Sequence, residues 1–340
     1  MQTIEVKNAA CKLLARAGFN QFSIKSIEQI YGGGNNQIYL LDTSHKKFIL
    51  KKYFEHDKDR RDRMGAEFSF LLAAKARAPH QIPTPYAKDD EGKWGLYEYV
   101  EGYKIDNSEK IVENFIAQAV NFIVEINVGK APVGMPNASE ACFSIQDHIS
   151  CVENRLSMLR GVNSFNFDFR ELLGAVDQEW NFVRAKLLKF ISQNRLSLEQ
   201  PFPANQRIIS PSDFGFHNAI VKSDGTLTFI DFEYAGWDDP AKLVGDFFAQ
   251  VAVPVGSEHL TGFIESLMLG IKFDANAIMR SMALINLYKI KWCCIVLNIF
   301  ISENLQRRIF AQPELDVEDL QKQQLLKARN LLDRIDYGLP

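Results

Sequence analysis

The sequence has few cysteines, no long uninterrupted apolar run and little net charge. Its 5 cysteines form no CxxC pair, which argues against a zinc site or disulfide framework and favours a reducing, cytoplasmic location. A formal net charge of -3 over 340 residues argues against a broad nucleic-acid-binding face. The longest apolar stretch, residues 282–301, is interrupted by lysines and asparagines. We therefore expect a buried helix there and no membrane span.

The remaining pattern changes near residue 103, where short β-rich runs give way to helical spacing. The predicted strands of the first part are residues 22–31, 36–42, 47–54 and 94–100. The predicted helices are residues 1–18, 59–78, 111–128, 145–159, 169–194, 260–269 and 277–303. Apolar runs at residues 208–209, 219–221 and 227–232 add an embedded β-hairpin. The pattern predicts an α+β protein with a small β-rich lobe, a larger, mainly helical lobe and a cleft between them.

The embedded hairpin carries the residues with the clearest chemical meaning. The carboxylate Asp213 is followed by the amide Asn218, and Asp231 ends the next predicted strand. Phosphoryl transfer requires an oriented hydroxyl and cations that neutralise the transferred oxygens. Asp213 can accept a hydroxyl proton, while Asn218 and Asp231 offer hard oxygens to Mg²⁺. Asp and Asn are also common turn residues, so the hairpin alone leaves a purely structural interpretation equally open.

The hairpin sequence resembles that of a known superfamily. Asp213 with Asn218, followed by the run Ile-Asp-Phe-Glu-Tyr-Ala-Gly over residues 230–236, is similar to the aminoglycoside phosphotransferases and choline kinases, which share the bilobal protein-kinase-like fold. The resemblance extends over residues 24–248. It implies an N-lobe at residues 1–100 that covers the nucleotide, a hinge at 101–104, and a C-lobe at 105–340 with the catalytic loop, the metal site and the acceptor site.

The resemblance also implies roles for individual residues. Asp213 matches the catalytic base, and Asn218 and Asp231 match the ligands of Mg²⁺. Lys51, which ends an apolar run, matches the lysine that contacts the α- and β-phosphates of ATP, and Glu67 matches its partner on the next helix. Lys52 would point to the opposite face of the strand.

Two backbone segments complete the implied ATP site. Gly32, Gly33 and Gly34 lie between two predicted strands, where glycine allows close approach to phosphate oxygens. In isolation such a run more often marks a plain hairpin turn. Glu98 and Val100 lie at the implied hinge, where their backbone groups would bind the adenine edge. Without the resemblance, this segment is typical of an interior strand that ends at a glycine.

Several positions depart from the family pattern or stay open. Pro211 stands where the family usually has a structural histidine, and Ser210 or Ser212 is a candidate for the missing hydrogen bond. Glu233 is a candidate for substrate or second-shell metal binding, with a buried salt bridge as the equal alternative. Asp246, at a longer spacing than usual, is a candidate brace of the catalytic loop.

The expected function is transfer of the γ-phosphoryl group of ATP, with Mg²⁺, to a hydroxyl of a small polar acceptor. The acceptor stays open between choline or another amino alcohol, a sugar and an aminoglycoside. Trp237, Tyr288 and Trp292 are candidates for a cation–π site, although the last two have the spacing of core residues. A catalytically impaired pseudokinase of the same fold is the alternative, favoured only by Pro211. The oligomeric state stays open.

Overall fold

The N-terminal part of the chain forms a β-sheet, as the alternation of buried and less buried residues along its strands shows. In β2 (Gln37–Thr43) every second residue is buried, which is the pattern of a strand with one face on a core. The computed structural model describes residues 2–31, 33–57, 61–106, 111–129, 132 and 134–338. The sheet has five antiparallel strands in the order β1-β2-β3-β5-β4. The other four strands are β1 (Ile24–Ile30), β3 (Lys47–Lys52), β4 (Pro85–Asp89) and β5 (Trp94–Glu98).

Two helices accompany this sheet. Helix α1 (Gln2–Arg16) contacts β4 and β5 and contributes Leu13 to a core shared with Phe48 and Leu96 of the strands. Helix α2 (Arg63–Lys75) begins at Asp62, whose side chain accepts a hydrogen bond from the Gly65 amide and so caps the first turn. Both helices agree with the sequence prediction.

The C-terminal part is mainly helical. Several of its helices are preceded by a capping residue whose side chain accepts a hydrogen bond from an amide of the first turn. At the start of one of them, Ser144 and Asp147 form a reciprocal capping box. The helices are α3 (Glu113–Asn127), α4 (Ile145–Arg160), α5 (Phe167–Gln193), α6 (Pro240–Ala249), α7 (Leu260–Gly270), α8 (Ala275–Ala283), α9 (Ile285–Leu297), α10 (Ser302–Ala311) and α11 (Val317–Leu332).

Short strands lie among these helices. β6 (Tyr103–Lys104), β8 (Ala219–Val221) and β9 (Leu227–Phe229) form one small sheet in the order β6-β8-β9. β7 (Ile208–Ser210) pairs with β10 (Gly236–Asp238). The predicted hairpin is therefore present as β8 and β9.

Strands β4, β6 and β10 and helices α6, α10 and α11 are not among the predicted elements, and one predicted helix is divided. Strand β4 was not predicted, because its first residue, Pro85, belongs to a proline-containing segment typical of a loop. The predicted helix at 277–303 is two helices, α8 and α9, with a bend of 46° between them. Nearly all of α9 is buried, so its apolar residues show no stripe from which a bend could be read. Among the described residues no single helix is long and apolar enough to span a membrane, and the bent pair passes that test only jointly.

Candidate active site

Lys51 is buried between two carboxylates. Strand β3 turns it inward, and its ammonium group is 2.7 Å from Glu67 Oε2 and 2.5 Å from Asp231 Oδ1. Lys52, the next residue, instead donates to the Gly92 carbonyl on the other face. Burial alone would lower the pKa of Lys51, but the Asp231 and Glu67 carboxylates raise it well above its usual value. The ammonium group is therefore charged at neutral pH.

Glu67 is fixed by contacts on α2 and beyond. Its Oε2 also accepts from the Tyr53 hydroxyl, and its Oε1 accepts from the Phe232 amide at 3.4 Å. The ring of Phe232 stacks on Phe70 of α2 with centroids 4.3 Å apart. Asp231 has a positive φ of 66°, an uncommon backbone conformation for a residue other than glycine. It lies in the turn between β9 and the buried Phe232, with its carboxylate on Lys51.

Asp213 lies in the turn after β7 and is held by its own loop. Asn218 Nδ2 donates to the Asp213 carbonyl at 3.0 Å, and His217 Nε2 lies 3.2 Å from Asp213 Oδ1. Burial would raise the pKa of Asp213, but the charges of His217 and Lys291 and the hydrogen bond from Asn218 lower it below its usual value. Asp213 is therefore an ionised acceptor at neutral pH. The role of His217 was not predicted; its position beside the motif asparagine was the only signal.

The turn that contains Pro211 has its own hydrogen bonds. Ser212 has a positive φ of 67°, its amide donates to Ser210 Oγ at 3.0 Å, and its hydroxyl accepts from Lys242 Nζ at 3.1 Å. Lys242 on α6 is buried and also pairs with Asp238. Both serines named as candidates thus bond within this turn, and Lys242, which the sequence did not indicate, connects the turn to α6.

Asn218 and Asp231 adjoin each other as candidate metal ligands. The Ile230 amide donates to the Asn218 carbonyl at 2.9 Å, which joins the two loops. Because Asn218 Nδ2 bonds to Asp213, the amide oxygen of Asn218 is the atom left for a metal. The described residues contain no cluster of three or more His, Cys, Asp or Glu suited to a metal ion. One amide and one carboxylate nevertheless fit Mg²⁺, which takes its further ligands from nucleotide phosphates and water.

The glycine turn between β1 and β2 is closely packed at its C-terminal side. Gly32 lies outside the described residues. A Cβ at Gly33 would lie 3.3 Å from Ile38, whereas a Cβ at Gly34 would lie 1.6 Å from Arg308 Nη1 of α10. Gly34 thus leaves room for the Arg308 guanidinium group, which no sequence pattern indicates at this turn.

Glu233 forms the buried salt bridge that the sequence left as one alternative. Its Oε1 is 3.2 Å from Arg63 Nη1 of α2. Asn35 Nδ2 donates to the same oxygen at 2.6 Å, and Asn36 Nδ2 donates to Oε2 at 2.7 Å. Since Asn35 and Asn36 follow the glycine turn, Glu233 joins that turn and α2 to the segment after Asp231.

Glu98 and Val100, the residues predicted for the hinge, lie where β5 ends. The Glu98 amide donates to the Thr84 carbonyl at 2.9 Å, and the Glu98 carboxylate accepts from the Thr84 amide at 2.9 Å. Val100 is partly buried in the segment between β5 and β6. At Gly102, φ is 152° and a Cβ would lie 2.3 Å from the Val221 carbonyl, so this segment passes directly against β8.

Comparison with known proteins identifies a family with this arrangement. The family model described as the phosphotransferase enzyme family matches residues 26–248. The chain belongs to this family. It is accordingly a small-molecule phosphotransferase with a hydroxyl group as acceptor, as the sequence predicts.

Solved structures of low sequence identity share its fold. Choline kinase LicA from Streptococcus pneumoniae has 18% identity and a TM-score of 0.59, over 98% of this chain and 99% of that one. A spectinomycin phosphotransferase in complex with ADP and spectinomycin has 13% identity and a TM-score of 0.59, over 95% and 98%. A choline kinase from Cryptosporidium parvum has 13% identity and a TM-score of 0.57, over 92% and 94%. These matches confirm the predicted fold class. No curated protein matches the chain.

The remaining candidate residues of the phosphotransferase, Asp246, Tyr288 and Trp292, lie on helices α6 and α9. Asp246 on α6 pairs with Lys291 Nζ at 2.9 Å and accepts from Trp292 Nε1 at 2.9 Å, both on α9. None of these contacts joins Asp246 to the turn that contains Asp213, although the charge of Lys291 also lowers the pKa of Asp213. Tyr288 is buried and its hydroxyl bonds to His148. Tyr288 and Trp292 therefore have the structural contacts of core residues.

Proposed function

We propose that the protein is an ATP- and Mg²⁺-dependent kinase of a small hydroxylated molecule. In this proposal residues 1–100 form the lobe that covers ATP, residues 101–104 the hinge, and residues 105–340 the lobe that holds the catalytic loop and the acceptor. The backbone groups of Glu98 and Val100 would meet adenine, and those of Gly32, Gly33 and Gly34 the phosphates. A cytoplasmic location stays a prediction.

The observation that carries this proposal is the buried contact of Lys51 with Glu67 and Asp231. A cation on the strand, oriented by a helix carboxylate and adjacent to a metal-binding carboxylate, is the arrangement that kinases use at the phosphates of ATP. Lys51 would bind the α- and β-phosphates and Glu67 would keep it in place. Mg²⁺ bound by Asn218 and Asp231 would neutralise charge on the phosphate oxygens.

Asp213 would act on the acceptor. Its pKa lies below the usual value, so the carboxylate is ionised and can accept a hydrogen bond from the attacking hydroxyl. That contact orients the oxygen toward the γ-phosphoryl group, and Asp213 takes the proton as the new P–O bond forms. His217, bonded to Asp213, positions the carboxylate.

The test separates nucleotide binding from turnover. Asp213→Asn should lower turnover by roughly 10²- to 10⁴-fold and leave the affinity for Mg²⁺-ATP largely intact. Asp231→Asn should abolish the Mg²⁺-dependent rise of the unfolding midpoint with ATP. Asp168→Asn, an exposed position on α5, is the control with the same change in charge.

Thermal shift with ATP, with and without Mg²⁺, and the slow hydrolysis of ATP are the two measurements. Equal losses of nucleotide binding in the Asp213 and Asp231 variants would show that the roles are wrongly assigned. Binding of Mg²⁺-ATP without any hydrolysis would favour the pseudokinase alternative, and no binding at millimolar ATP would refute the proposal.

A further inference from the structure

The turn that carries Asp213 has a backbone conformation that needs support from its surroundings. Ser212, directly before Asp213, has a positive φ of 67°. This conformation is uncommon for a residue other than glycine and persists where neighbouring groups fix it. Because the two residues are adjacent, the backbone of Ser212 decides the direction in which the Asp213 side chain leaves the chain. The position of the Asp213 carboxylate therefore depends on what holds Ser212.

Pro211 does not hold Ser212 through a side-chain hydrogen bond. A proline has no amide hydrogen, and its side chain has no polar atom. The resemblance to the family implies a structural histidine at this position, so this chain needs another source of support. The Ser212 amide donates to Ser210 Oγ at 3.0 Å, and the Asp213 amide donates to the Pro211 carbonyl at 3.0 Å. Both bonds stay within the turn and the end of β7.

Lys242 of α6 connects the turn to two other segments. Its ammonium group donates to Ser212 Oγ at 3.1 Å and to the Ser139 carbonyl at 3.0 Å, and it pairs with Asp238. An ammonium group has three donors, so these contacts use all of them. Lys242 is 1% exposed and Asp238 is fully buried, so water does not compete for the contacts. The Ser212 hydroxyl is therefore held at one place relative to α6.

Asp238 fixes Lys242 from the same small sheet that leads into the turn. It belongs to β10, which pairs with β7, and β7 ends three residues before Asp213. One carboxylate oxygen of Asp238 accepts from the Cys142 amide at 3.0 Å, and the other pairs with Lys242. The ion pair thus joins the β7–β10 sheet, α6 and the turn in one buried group of contacts.

Asp213 is held separately on its C-terminal side. His217 Nε2 lies 3.2 Å from Asp213 Oδ1, and Asn218 Nδ2 donates to the Asp213 carbonyl at 3.0 Å. Neither contact reaches the backbone before Asp213, which Lys242 holds through Ser212. A group that meets a reacting hydroxyl has to be placed within a fraction of an ångström, and such placement needs support on every side.

We propose that Lys242, held by Asp238, is a positioning residue for Asp213. It gives the turn the support that Pro211 does not. The proposal rests on the proposed kinase function, since it assumes that Asp213 receives the acceptor hydroxyl. Lys242 acts through Ser212 and touches neither nucleotide nor acceptor. Loss of the contact should therefore lower kcat and leave the binding of Mg²⁺-ATP unchanged.

The test is a mutant cycle that follows hydrolysis of Mg²⁺-ATP, with water in place of the acceptor at Asp213. Ser212→Ala removes the hydroxyl and keeps the ion pair of Lys242 with Asp238. Lys242→Met with Asp238→Asn removes the cation without leaving a buried charge, and the asparagine oxygen can still accept from the Cys142 amide. Each variant should lower kcat by about 10- to 100-fold. The KM for ATP, which reports binding when chemistry is slow, should not change.

The combined variant gives a readout that a structural role would not change. Ser212→Ala and the lysine variant, Lys242→Met with Asp238→Asn, break the same contact. Their effects on kcat should therefore not add, and the combined variant should lose no more kcat than the worse of the two. If the lysine variant does not fold, Ser212→Ala decides alone, because it leaves the ion pair intact.

Lys289→Met is the matched control. Lys289 is a buried lysine of α9 that donates to Asn286 Oδ1 at 3.3 Å and to the Arg334 carbonyl at 2.6 Å. Its loss should lower the unfolding midpoint and leave kcat unchanged. The same result for Lys242→Met with Asp238→Asn would assign the pair a merely structural role and overturn the proposal.

The other outcomes are separable. An unchanged kcat in Ser212→Ala, or losses of kcat that add in the combined variant, would overturn the positioning role and leave the kinase function standing. A KM for ATP that rises in the variants would assign Lys242 to nucleotide binding and also overturn the proposal. If the wild type shows no Mg²⁺-dependent hydrolysis of ATP, the kinase function itself fails, and the positioning role fails with it.

Discussion

Removal of Lys51 is the perturbation whose magnitude follows most directly from the structure. Lys51→Met leaves Glu67 ionised and 4% exposed without its cation, while Asp231, whose side chain is 31% exposed, can turn to water. Loss of one partner from a buried ion pair costs about 3–5 kcal/mol of unfolding free energy. Replacing Glu67 as well, in Lys51→Met with Glu67→Gln, removes the stranded charge and keeps an acceptor for Tyr53. The double variant should therefore be more stable than the single one.

The assay is urea unfolding without nucleotide, and pH provides a second check. Burial raises the pKa of Glu67 even though the charge of Lys51 lowers it. The pKa of Glu67 should therefore rise further in Lys51→Met, because that lowering charge is removed. A carboxyl group whose pKa is raised by folding destabilises the folded state when it is ionised. This penalty is complete at pH values above the folded pKa and disappears at pH values below the unfolded pKa of about 4.3. The penalty of the single variant should shrink as pH falls toward that value. A penalty that is independent of pH and unchanged in the double variant would refute this reasoning.

Two further predictions concern stability away from the cleft. A Cβ at Gly245 of α6 would lie 2.1 Å from the Tyr288 ring, so Gly245→Ala should lower the free energy of unfolding by about 1–3 kcal/mol. Nothing lies within 4 Å of a Cβ at Gly174 of α5, so Gly174→Ala should raise the free energy of unfolding by about 0.5–1 kcal/mol. Urea unfolding measures both changes. Burial would raise the pKa of Glu140, but Arg155 lowers it to about 2. The stability advantage of the wild type over Glu140→Gln should thus be present above pH of about 4.5 and be lost as pH falls toward 2; an advantage that persists at pH 2 would contradict the ion pair.

The pairing of Lys51 with Glu67 could be predicted, because the lysine that ends an apolar strand and the carboxylate on the next helix match the family pattern. The fold also brings Asp231, which follows the last strand of the hairpin, to the ammonium group of Lys51. The support of the Pro211 turn could not be predicted in the same way. Lys242 reaches Ser212 from another element, and its sequence neighbours on α6 show only an apolar helix. The sequence likewise left open whether Glu233 binds a metal or forms a salt bridge. The salt bridge is with Arg63 of α2, and no sequence pattern connects these two residues.

One helix beside the glycine turn belongs to a part of the chain that the family model does not reach. Residues 26–248 match the family model, and they contain Lys51, Asp213 and Asp231, to which we assign roles in the proposed phosphoryl transfer. Arg307 and Arg308 lie beyond that range, on a helix whose contact with Gly34 depends on the tertiary fold alone.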